Sequence, residues 1–205
     1  SWTTSIIATT ANNGRNVHVA DMDGDGDLDV VATSLDDNTV SWYENDGADD
    51  PSWTAADIDT NSDGAFGVYV DDMDDDGDLD IVIGSAFDDT IAWYENDGAA
   101  DPSWTKSAID TSADGARNLH VADMDGDGDL DIVSASAGDD SIAWYENDGA
   151  ANPSWTKSVI DSSLDAALSV YPADLDGDGD LDIVSASAFD HTIAWYQNDG
   201  AADPS

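Results

Sequence analysis

Aspartate residues are concentrated in short loops whose spacing suits the binding of a divalent cation. The first loop runs from Asp21 to Asp29 in the pattern D-x-D-x-D-G-D-L-D, with aspartate at every odd position and glycine at position 6. Calcium takes roughly six to eight hard oxygen ligands. Carboxylates at alternate positions of a tight loop converge on one ion, and the glycine permits the sharp turn. The pattern therefore predicts a calcium site.

The same loop occurs four times in the chain. We expect the carboxylates at positions 1, 3 and 5 to bind the ion, with the backbone carbonyl of position 7 and the residue at position 9 closing the shell. Without a cation, so many like charges at close range would be unfavourable. The predicted metal-site residues are Asp21, Asp23, Asp25, Asp27, Asp29, Asp72, Asp74, Asp76, Asp78, Asp80, Asp123, Asp125, Asp127, Asp129, Asp131, Asp174, Asp176, Asp178, Asp180 and Asp182.

These loops differ from an EF-hand, which carries glutamate at loop position 12. Here that position is occupied by Ala32, Ile83, Ser134 and Ser185, each within an apolar, strand-like run. Magnesium is less suitable because it keeps several waters and few protein carboxylates. We therefore expect about four calcium ions, one per loop. Their expected role is structural: each ties two strands together.

One period organises the whole chain. Ser-Trp-Thr recurs every 51 residues, beginning at Ser1, Ser52, Ser103 and Ser154, and Trp-Tyr recurs in step with it. The sequence therefore predicts a single repeat domain over residues 1–205, with units 1–51, 52–102, 103–153 and 154–204. Such repeats are typical of solenoids, propellers and arrays.

Each unit contains several short β-type segments separated by Asp, Gly, Asn and Pro. In the third unit these are 104–109, 118–122, 131–136 and 141–145. The turn residues and the β-branched runs favour strands over helices. Four strands in a unit of this length match a propeller blade, whereas a parallel β-helix uses shorter coils. The predicted fold is all-β: a β-propeller of four 51-residue, four-stranded blades.

The units also resemble a known family, the FG-GAP/VCBS-type repeats, which form the calcium-binding blades of integrin-α-like propellers. The Asp-x-Asp-x-Asp-Gly-x-x-Asp loop and the apolar strand after it carry the resemblance, together with Phe66-Gly67 and Ile83-Gly84-Ser85-Ala86. The other units replace Phe-Gly with Arg15-Asn16, Arg117-Asn118 and Leu168-Ser169. The resemblance implies a calcium loop between the first and second strands of each blade and an extracellular or cell-surface location.

The two ends of the chain complement each other. Residues 1–10 match the last strand of a blade, and residues 168–198 match the first three strands of one. Three arrangements remain open: a ring closed within the chain, a strand supplied by a neighbouring chain to give an oligomer or filament, and a segment of a longer array.

Aromatic residues are further candidates for binding. Trp42 and its repeats are predicted to be core, whereas Tyr43, Tyr94, Tyr145 and Tyr196 fall on the opposite face and are the better candidates for stacking on a glycan. His18, Tyr69, His120 and Tyr171 share one repeat position and are predicted to pack on the surface or between blades.

Composition limits the possible partners. The formal net charge is −43, from 47 acidic and 4 basic residues, which argues against nucleic acid and anionic membranes as partners. The chain has no cysteine and no apolar run long enough to cross a membrane, so membrane insertion is not expected. A hydrophobic content of 40% separates it from disordered acidic tails. A halophilic origin would also account for the acidity.

These features together predict a function. Intact metal loops without a Ser/His/Asp arrangement, phosphate loop or HExxH motif indicate a non-enzymatic, calcium-binding module of an extracellular or cell-surface protein. It would serve as a structural or adhesive scaffold, with self-association or a longer repeat array. The alternatives are a calcium-stabilised, carbohydrate-binding lectin and a fragment of a polysaccharide-acting extracellular enzyme. Regular repeats argue against an enzyme, because an active site normally needs one unit to differ.

Overall fold

The structure is a computed structural model that describes residues 2–200. Ser1 and residues 201–205, at the two ends of the predicted repeat domain, lie outside this range. The described chain is all-β, with fifteen strands in four antiparallel sheets. None of residues 2–200 forms a helix that is long and apolar enough to cross a membrane.

Three sheets have four strands and one has three, and in each the strands follow in chain order. Sheet 1 contains β1 (Gly14–Ala20), β2 (Asp29–Ser34), β3 (Thr39–Asn45) and β4 (Trp53–Asp59). Sheet 2 contains β5 (Ala65–Asp71), β6 (Asp80–Ser85), β7 (Thr90–Asn96) and β8 (Trp104–Asp110). Sheet 3 contains β9 (Ala116–Ala122), β10 (Asp131–Ser136), β11 (Ser141–Asn147) and β12 (Trp155–Asp161). Sheet 4 contains β13 (Ala167–Ala173), β14 (Asp182–Ser187) and β15 (Ile193–Tyr196).

Turn chemistry determines where the strands stop. The aspartate loops join the first and second strands of every sheet, as expected, and the glycine at loop position 6 has a positive φ of 96° to 103°. The second and third strands are joined by tight turns containing Asn38, Asp89 and Asp140 in the left-handed region. Asparagine and aspartate tolerate this conformation better than bulkier residues. His191 occupies the same turn position in sheet 4 with φ of 60°.

The sheets are out of phase with the sequence units. Each Ser-Trp-Thr segment after the first begins the fourth strand of the preceding sheet, so Trp53 belongs to sheet 1 and Trp104 to sheet 2. One sequence unit therefore contributes to two consecutive sheets, and every unit boundary is bridged by antiparallel pairing such as β3 with β4. This overlap ties the units together through backbone hydrogen bonds.

The hydrophobic core lies between the sheets. The first strand of each sheet contacts that of the next, in the order β1, β5, β9 and β13. Between sheets 1 and 2 the core contains Trp42, Val68 and Tyr94, and the same positions recur between sheets 2 and 3. The predicted core role of the Trp42 series is therefore confirmed for Trp42, Trp93 and Trp144, which are at most 5% exposed.

Within the described residues three of the four predicted sheets have four strands, the last has three, and no closed ring is formed. Residues 2–10 lie outside any strand, so of the three arrangements left open by the sequence, the ring closed by this segment within one chain is not formed. Up to residue 200, where the description ends, sheet 4 has three strands. Both ends of the stack are open: Val17 of sheet 1 is 63% exposed and Ile193 of sheet 4 is 74% exposed. The physical reason is that residues 2–10 precede sheet 1, whereas the unpaired edge belongs to sheet 4 at the other end.

Candidate metal centre

Each aspartate loop is folded by its own carboxylates. In the first loop Asp21 accepts a hydrogen bond from the Gly26 amide at 3.0 Å, and Asp25 accepts one from the Asp27 amide at 2.9 Å. The third loop repeats both bonds. Side-chain acceptors thus satisfy the amides of a tight turn that has no ladder partner. The carboxylates are held on the inside of the loop as a result.

In every loop three carboxylates come together. Their nearest oxygens lie within 4.8 Å of one another. The groups are Asp21, Asp23 and Asp25; Asp72, Asp74 and Asp80; Asp123, Asp125 and Asp127; and Asp174, Asp176 and Asp178. Positions 1 and 3 therefore meet in all four loops, and position 5 joins them in three, among the described residues.

Two of these carboxylates have an oxygen without a hydrogen-bond partner. Oδ1 of Asp21 and Oδ1 of Asp74 are buried and accept no bond from the described residues. A buried carboxylate oxygen without a donor costs free energy. Burial, followed by the neighbouring carboxylates, also raises the pKa of Asp23, Asp74, Asp125 and Asp176 at position 3. An all-oxygen donor set with unsatisfied acceptors and mutual repulsion fits a hard cation.

Position 9 has a different local environment. Asp29, Asp80, Asp131 and Asp182 are almost completely buried at the start of the second strand of each sheet. Oδ2 of Asp131 accepts from the Met124 amide at 3.1 Å, and Oδ1 accepts from the Asn147 amide at 2.8 Å. Burial raises the pKa of Asp80 and Asp131 to about 7. The carboxylate thus ties the loop to the third strand.

Position 7 points away from the clustered oxygens. The side chains of Asp27, Asp78, Asp129 and Asp180 lie against Gly47, Gly98, Gly149 and Gly200, where an added Cβ would lie 2.3 Å or less from a carboxylate oxygen. Each of these glycines also has a positive φ of 66° to 68°. The side chains at position 7 are therefore outside the cluster, and only the backbone of these residues remains a candidate ligand. The Asp-Gly turn after the third strand is thus part of the loop's surroundings.

An asparagine beside each loop is a further functional residue that the sequence analysis did not identify. Nδ2 of Asn147 donates to the Leu130 carbonyl at 3.1 Å in its own loop and to the Met73 carbonyl at 3.0 Å in the preceding one. Asn96 and Asn198 make the same pair of bonds. The Asn-Asp-Gly that recurs after the Trp-Tyr of every unit is the sequence pattern that could have identified it. It connects the metal loops of successive sheets.

The tyrosines proposed for stacking on sugars are not available for it. Tyr43, Tyr94 and Tyr145 are at most 6% exposed, so that prediction was wrong for these three. Oη of Tyr94 donates to Asp59 of sheet 1 at 2.8 Å, and Lys106 donates to the same carboxylate at 2.7 Å. Tyr145, Asp110 and Lys157 repeat this bridge. The tyrosine hydroxyl stays satisfied in the core by reaching the previous sheet.

The alternating His and Tyr residues form a ladder between sheets. Consecutive rings of His18, Tyr69, His120 and Tyr171 are 4.7 Å apart between centroids. The predicted packing role is confirmed. Arg15 and Arg117, which share one repeat position, both lie over the Phe66 ring, at 5.1 and 4.9 Å from its centroid. These are cation–π contacts.

The chain is similar in fold to a solved structure at low sequence identity. The biofilm matrix protein Bap1 of V. cholerae superposes with a TM-score of 0.50 at 21% identity, over 97% of this chain and 33% of Bap1. A functionally unknown protein from Desulfotomaculum acetoxidans DSM 771 gives a TM-score of 0.44 at 13% identity, over 93% of this chain and 71% of the other. This chain thus spans about a third of the length of Bap1. Comparison with curated proteins gives no significant match.

A family model for the FG-GAP-like repeat matches three times in tandem. The matched residues are 21–83, 72–134 and 123–185. Each match begins at the first aspartate of one loop and ends in the second strand of the next sheet. The repeated metal-type loop, the strand after it and the 51-residue period are therefore all inside the matched segments. The chain belongs to the FG-GAP-like repeat family.

Proposed function

We propose that this protein is a non-enzymatic, calcium-stabilised scaffold in an extracellular or cell-surface setting, where it has a structural or adhesive role. The single observation that carries the proposal is the convergence of three aspartates in each of four loops, with buried carboxylate oxygens left without donors in two of them. The FG-GAP-like family supports a repeat scaffold.

Calcium would be held by the carboxylates that converge. Positions 1 and 3 would bind in each loop, joined by position 5 or, in the second loop, by Asp80. The ion would neutralise charge that otherwise repels across the loop, and it would fix the connection between the first and second strands. Because each loop contacts the next through asparagine, ordering one loop would also support its neighbour.

The extracellular setting has two supports. Bap1, which has a similar fold over this length, is described as a biofilm matrix protein. Millimolar calcium outside cells saturates sites of modest affinity, as in other extracellular modules. We propose calcium and further copies of the chain as partners. The lectin alternative has lost its principal residues, since Tyr43, Tyr94 and Tyr145 are buried.

A chelation melt tests the proposal. Thermal unfolding would be followed by circular dichroism in calcium, in magnesium and in EDTA, at fixed ionic strength. We expect calcium to raise the melting temperature by ten degrees or more, on the order of several kcal/mol of binding free energy. Magnesium should have a much smaller effect. A melting temperature unchanged by EDTA would rule out the calcium role.

A further inference from the structure

A continuous network of hydrogen bonds connects the aspartate loops of neighbouring sheets. Met73, at position 2 of the second loop, donates its amide to Asp80 at position 9 of that loop at 3.2 Å. The Met73 carbonyl accepts from Nδ2 of Asn147 at 3.0 Å, and the Asn147 amide donates to Asp131 of the third loop at 2.8 Å. The Met124 amide donates to the same Asp131 carboxylate at 3.1 Å. The metal loops of sheets 2 and 3 are therefore joined without a gap.

The same bonds join the other neighbouring loops. Between sheets 1 and 2, Nδ2 of Asn96 donates to the Met22 carbonyl at 3.3 Å, and the Asn96 amide donates to Asp80 at 2.8 Å. Between sheets 3 and 4, Asn198 makes the equivalent bonds at 3.0 and 2.9 Å. The network thus passes through every interface between consecutive sheets of the stack.

The central residues of the network are buried. Asn147 and Met73 are each 2% exposed, and Asp131 is completely buried. Nδ2 of Asn147 also donates to the Leu130 carbonyl at 3.1 Å, and its Oδ1 accepts from the Gly149 amide at 3.1 Å. Two donated bonds and one accepted bond use both ends of the amide side chain. Because a buried carbonyl without a donor costs free energy, a break in the network is unfavourable.

Position 2 connects the network directly to the carboxylates of the candidate metal site. Met73 lies between Asp72 and Asp74, two members of the cluster in the second loop. Its side chain packs in the core between sheets 2 and 3, and Met22 and Met124 occupy the equivalent places in the cores beside them. A movement of Asp72 and Asp74 would therefore displace a side chain and a carbonyl that the next sheet holds in place.

We propose that calcium binding in neighbouring loops is positively coupled through this network. An ion bound by Asp72 and Asp74 fixes Met73 between them, and Met73 holds the side chain of Asn147. Asn147 in turn holds positions 8 and 9 of the third loop, beside that loop's own cluster. Without the ion, repulsion between the carboxylates loosens position 2 and weakens the connection. Binding in one loop thus lowers the cost of ordering the next.

Electrostatics alone predicts a coupling of the opposite sign. Each calcium ion adds two positive charges, which reduces the negative potential that attracts the next ion, so charge alone weakens binding at neighbouring sites. Salt would diminish that effect, because dissolved ions screen exposed charges. A coupling carried by buried hydrogen bonds is positive and persists in salt. The sign and the salt dependence of the coupling therefore separate the two causes.

Calcium titrations followed by NMR would test the coupling, which rests on the proposed calcium role. The reporters are the position-6 glycine amides of the four loops, Gly26, Gly77, Gly128 and Gly179. The amides of Gly77 and Gly128 donate to the position-1 aspartates of their own loops at 2.9 and 3.1 Å, so each reports on a single loop. In moderate salt, we expect the signals of neighbouring loops to change together and more steeply than independent sites allow.

Asp127→Ala tests whether one loop affects another, because Asp127 is an exposed member of the third cluster. We expect the calcium affinity of the second loop, read at Gly77, to fall about tenfold, within the usual range for coupled sites. The first loop, read at Gly26, is the internal control: it reaches the third loop only through the second and should change less. Asp74→Ala should weaken the third loop by a similar factor, since coupling is reciprocal. A second loop whose affinity is unchanged by Asp127→Ala would overturn the coupling.

Asn147→Ala tests the route of the coupling. In this background Asp127→Ala should no longer weaken the second loop, whereas the connection through Asn96 to the first loop stays intact. The double-mutant comparison cancels the direct effect of each substitution. A loss of affinity that persists without Asn147 would contradict the proposed route. If Asn147→Ala does not fold, Asn198→Ala tests the same route between the third and fourth loops, with Gly179 as the reporter.

The failure of the calcium role and the failure of the coupling have different signatures. Glycine signals that respond to calcium in none of the loops would contradict the calcium role itself. Signals that respond in each loop independently of the others would leave the calcium role intact and overturn only the coupling.

Discussion

Aspartates at different positions of one loop have different physical roles. Asp127 is exposed at position 5, and it meets Asp123 and Asp125 in the carboxylate cluster. Asp131 at position 9 is completely buried and accepts two backbone amides. The first arrangement is suited to an ion, and the second replaces missing ladder bonds. Mutation should therefore separate metal binding from apo-protein stability within a single loop.

Asp131→Ala should destabilise the chain with and without calcium. It removes a charged acceptor from two buried amides, and we expect a loss of about 3 kcal/mol in the free energy of unfolding. Asp127→Ala is the matched comparison. It should weaken calcium binding but cost much less than Asp131→Ala in EDTA, because the one bond that Asp127 accepts, from the Asp129 amide, is exposed and its loss is offset by the removal of a repelling charge. Urea unfolding in both buffers measures the two effects.

Equal losses for both variants in EDTA would contradict this division of roles. The sequence alone could not have made the distinction. The odd-position pattern predicted that these aspartates act together, and the clusters agree with it at positions 1 and 3. The role of Asp131 at position 9 depends on its hydrogen bond from the Asn147 amide. Asn147 is 16 residues further along the chain and is brought close only by the pairing of β10 with β11.

The asparagine that follows the third strand of a sheet connects the aspartate loops of neighbouring sheets. Asn147 is buried and bonds the loops of sheets 2 and 3, whereas Asn45 in the first sheet bonds only its own loop. Asn147→Ala should therefore lower the free energy of unfolding by about 2 kcal/mol, since buried carbonyls lose their donor. Asn45→Ala should cost much less. Both would be measured by urea unfolding. Similar losses in the free energy of unfolding for the two variants would contradict a role for Asn147 in connecting the loops.

The bridge between Lys106 and Asp59 predicts a dependence on pH. Burial alone raises the pKa of Asp59, but hydrogen bonds from Lys106, Tyr94 and Ser62 outweigh it and hold the pKa below its usual range. A lowered folded-state pKa gives stability that is complete above the unfolded pKa of about 4 and is lost as the pH falls below it.

Lys106→Met should therefore destabilise the protein most at neutral pH, lowering the free energy of unfolding by about 1 kcal/mol or less for this partly exposed pair. The difference from the wild type should shrink as the pH falls from about 5 to about 2. Lys157→Met, at the equivalent bridge to Asp110, should behave in the same way. A difference that stays constant down to the lowest pH would show that the ion pair is not its source.

At the element scale, strand positions were predictable but strand pairing was not. Turn residues and β-branched runs located all four strand types of a repeat, and the aspartate loop was correctly placed between the first two. The segment at residues 1–10 has the same sequence pattern as β4, yet residues 2–10 form no strand in the single chain. A strand needs an edge to pair with, and local sequence does not say where that edge is.

At the scale of the whole molecule, the acidic charge constrains how the stack holds together. The odd positions of the four loops contribute 20 of the aspartates, and four calcium ions would change the net charge only from −43 to −35. Most of the negative charge therefore remains on the surface, where salt screens it. The apolar interfaces between consecutive sheets therefore hold the stack together.

Repeat counting gave the number of sheets but left the closure of the stack open. The exposed faces of sheets 1 and 4 depend on the three-dimensional arrangement of sheets, which the period does not specify. Buried side chains such as Tyr94 were misassigned for the same reason. Strand alternation identifies two faces, but in a stack of sheets both faces are covered.

The account depends most directly on how many calcium ions the chain binds. Native mass spectrometry or isothermal titration of the calcium-stripped protein would count them, with Asp127→Ala as the internal control. The account predicts four ions per chain, one for each aspartate cluster, and three for the variant. A wild-type chain that binds none, or a variant that binds as many as the wild type, would contradict it.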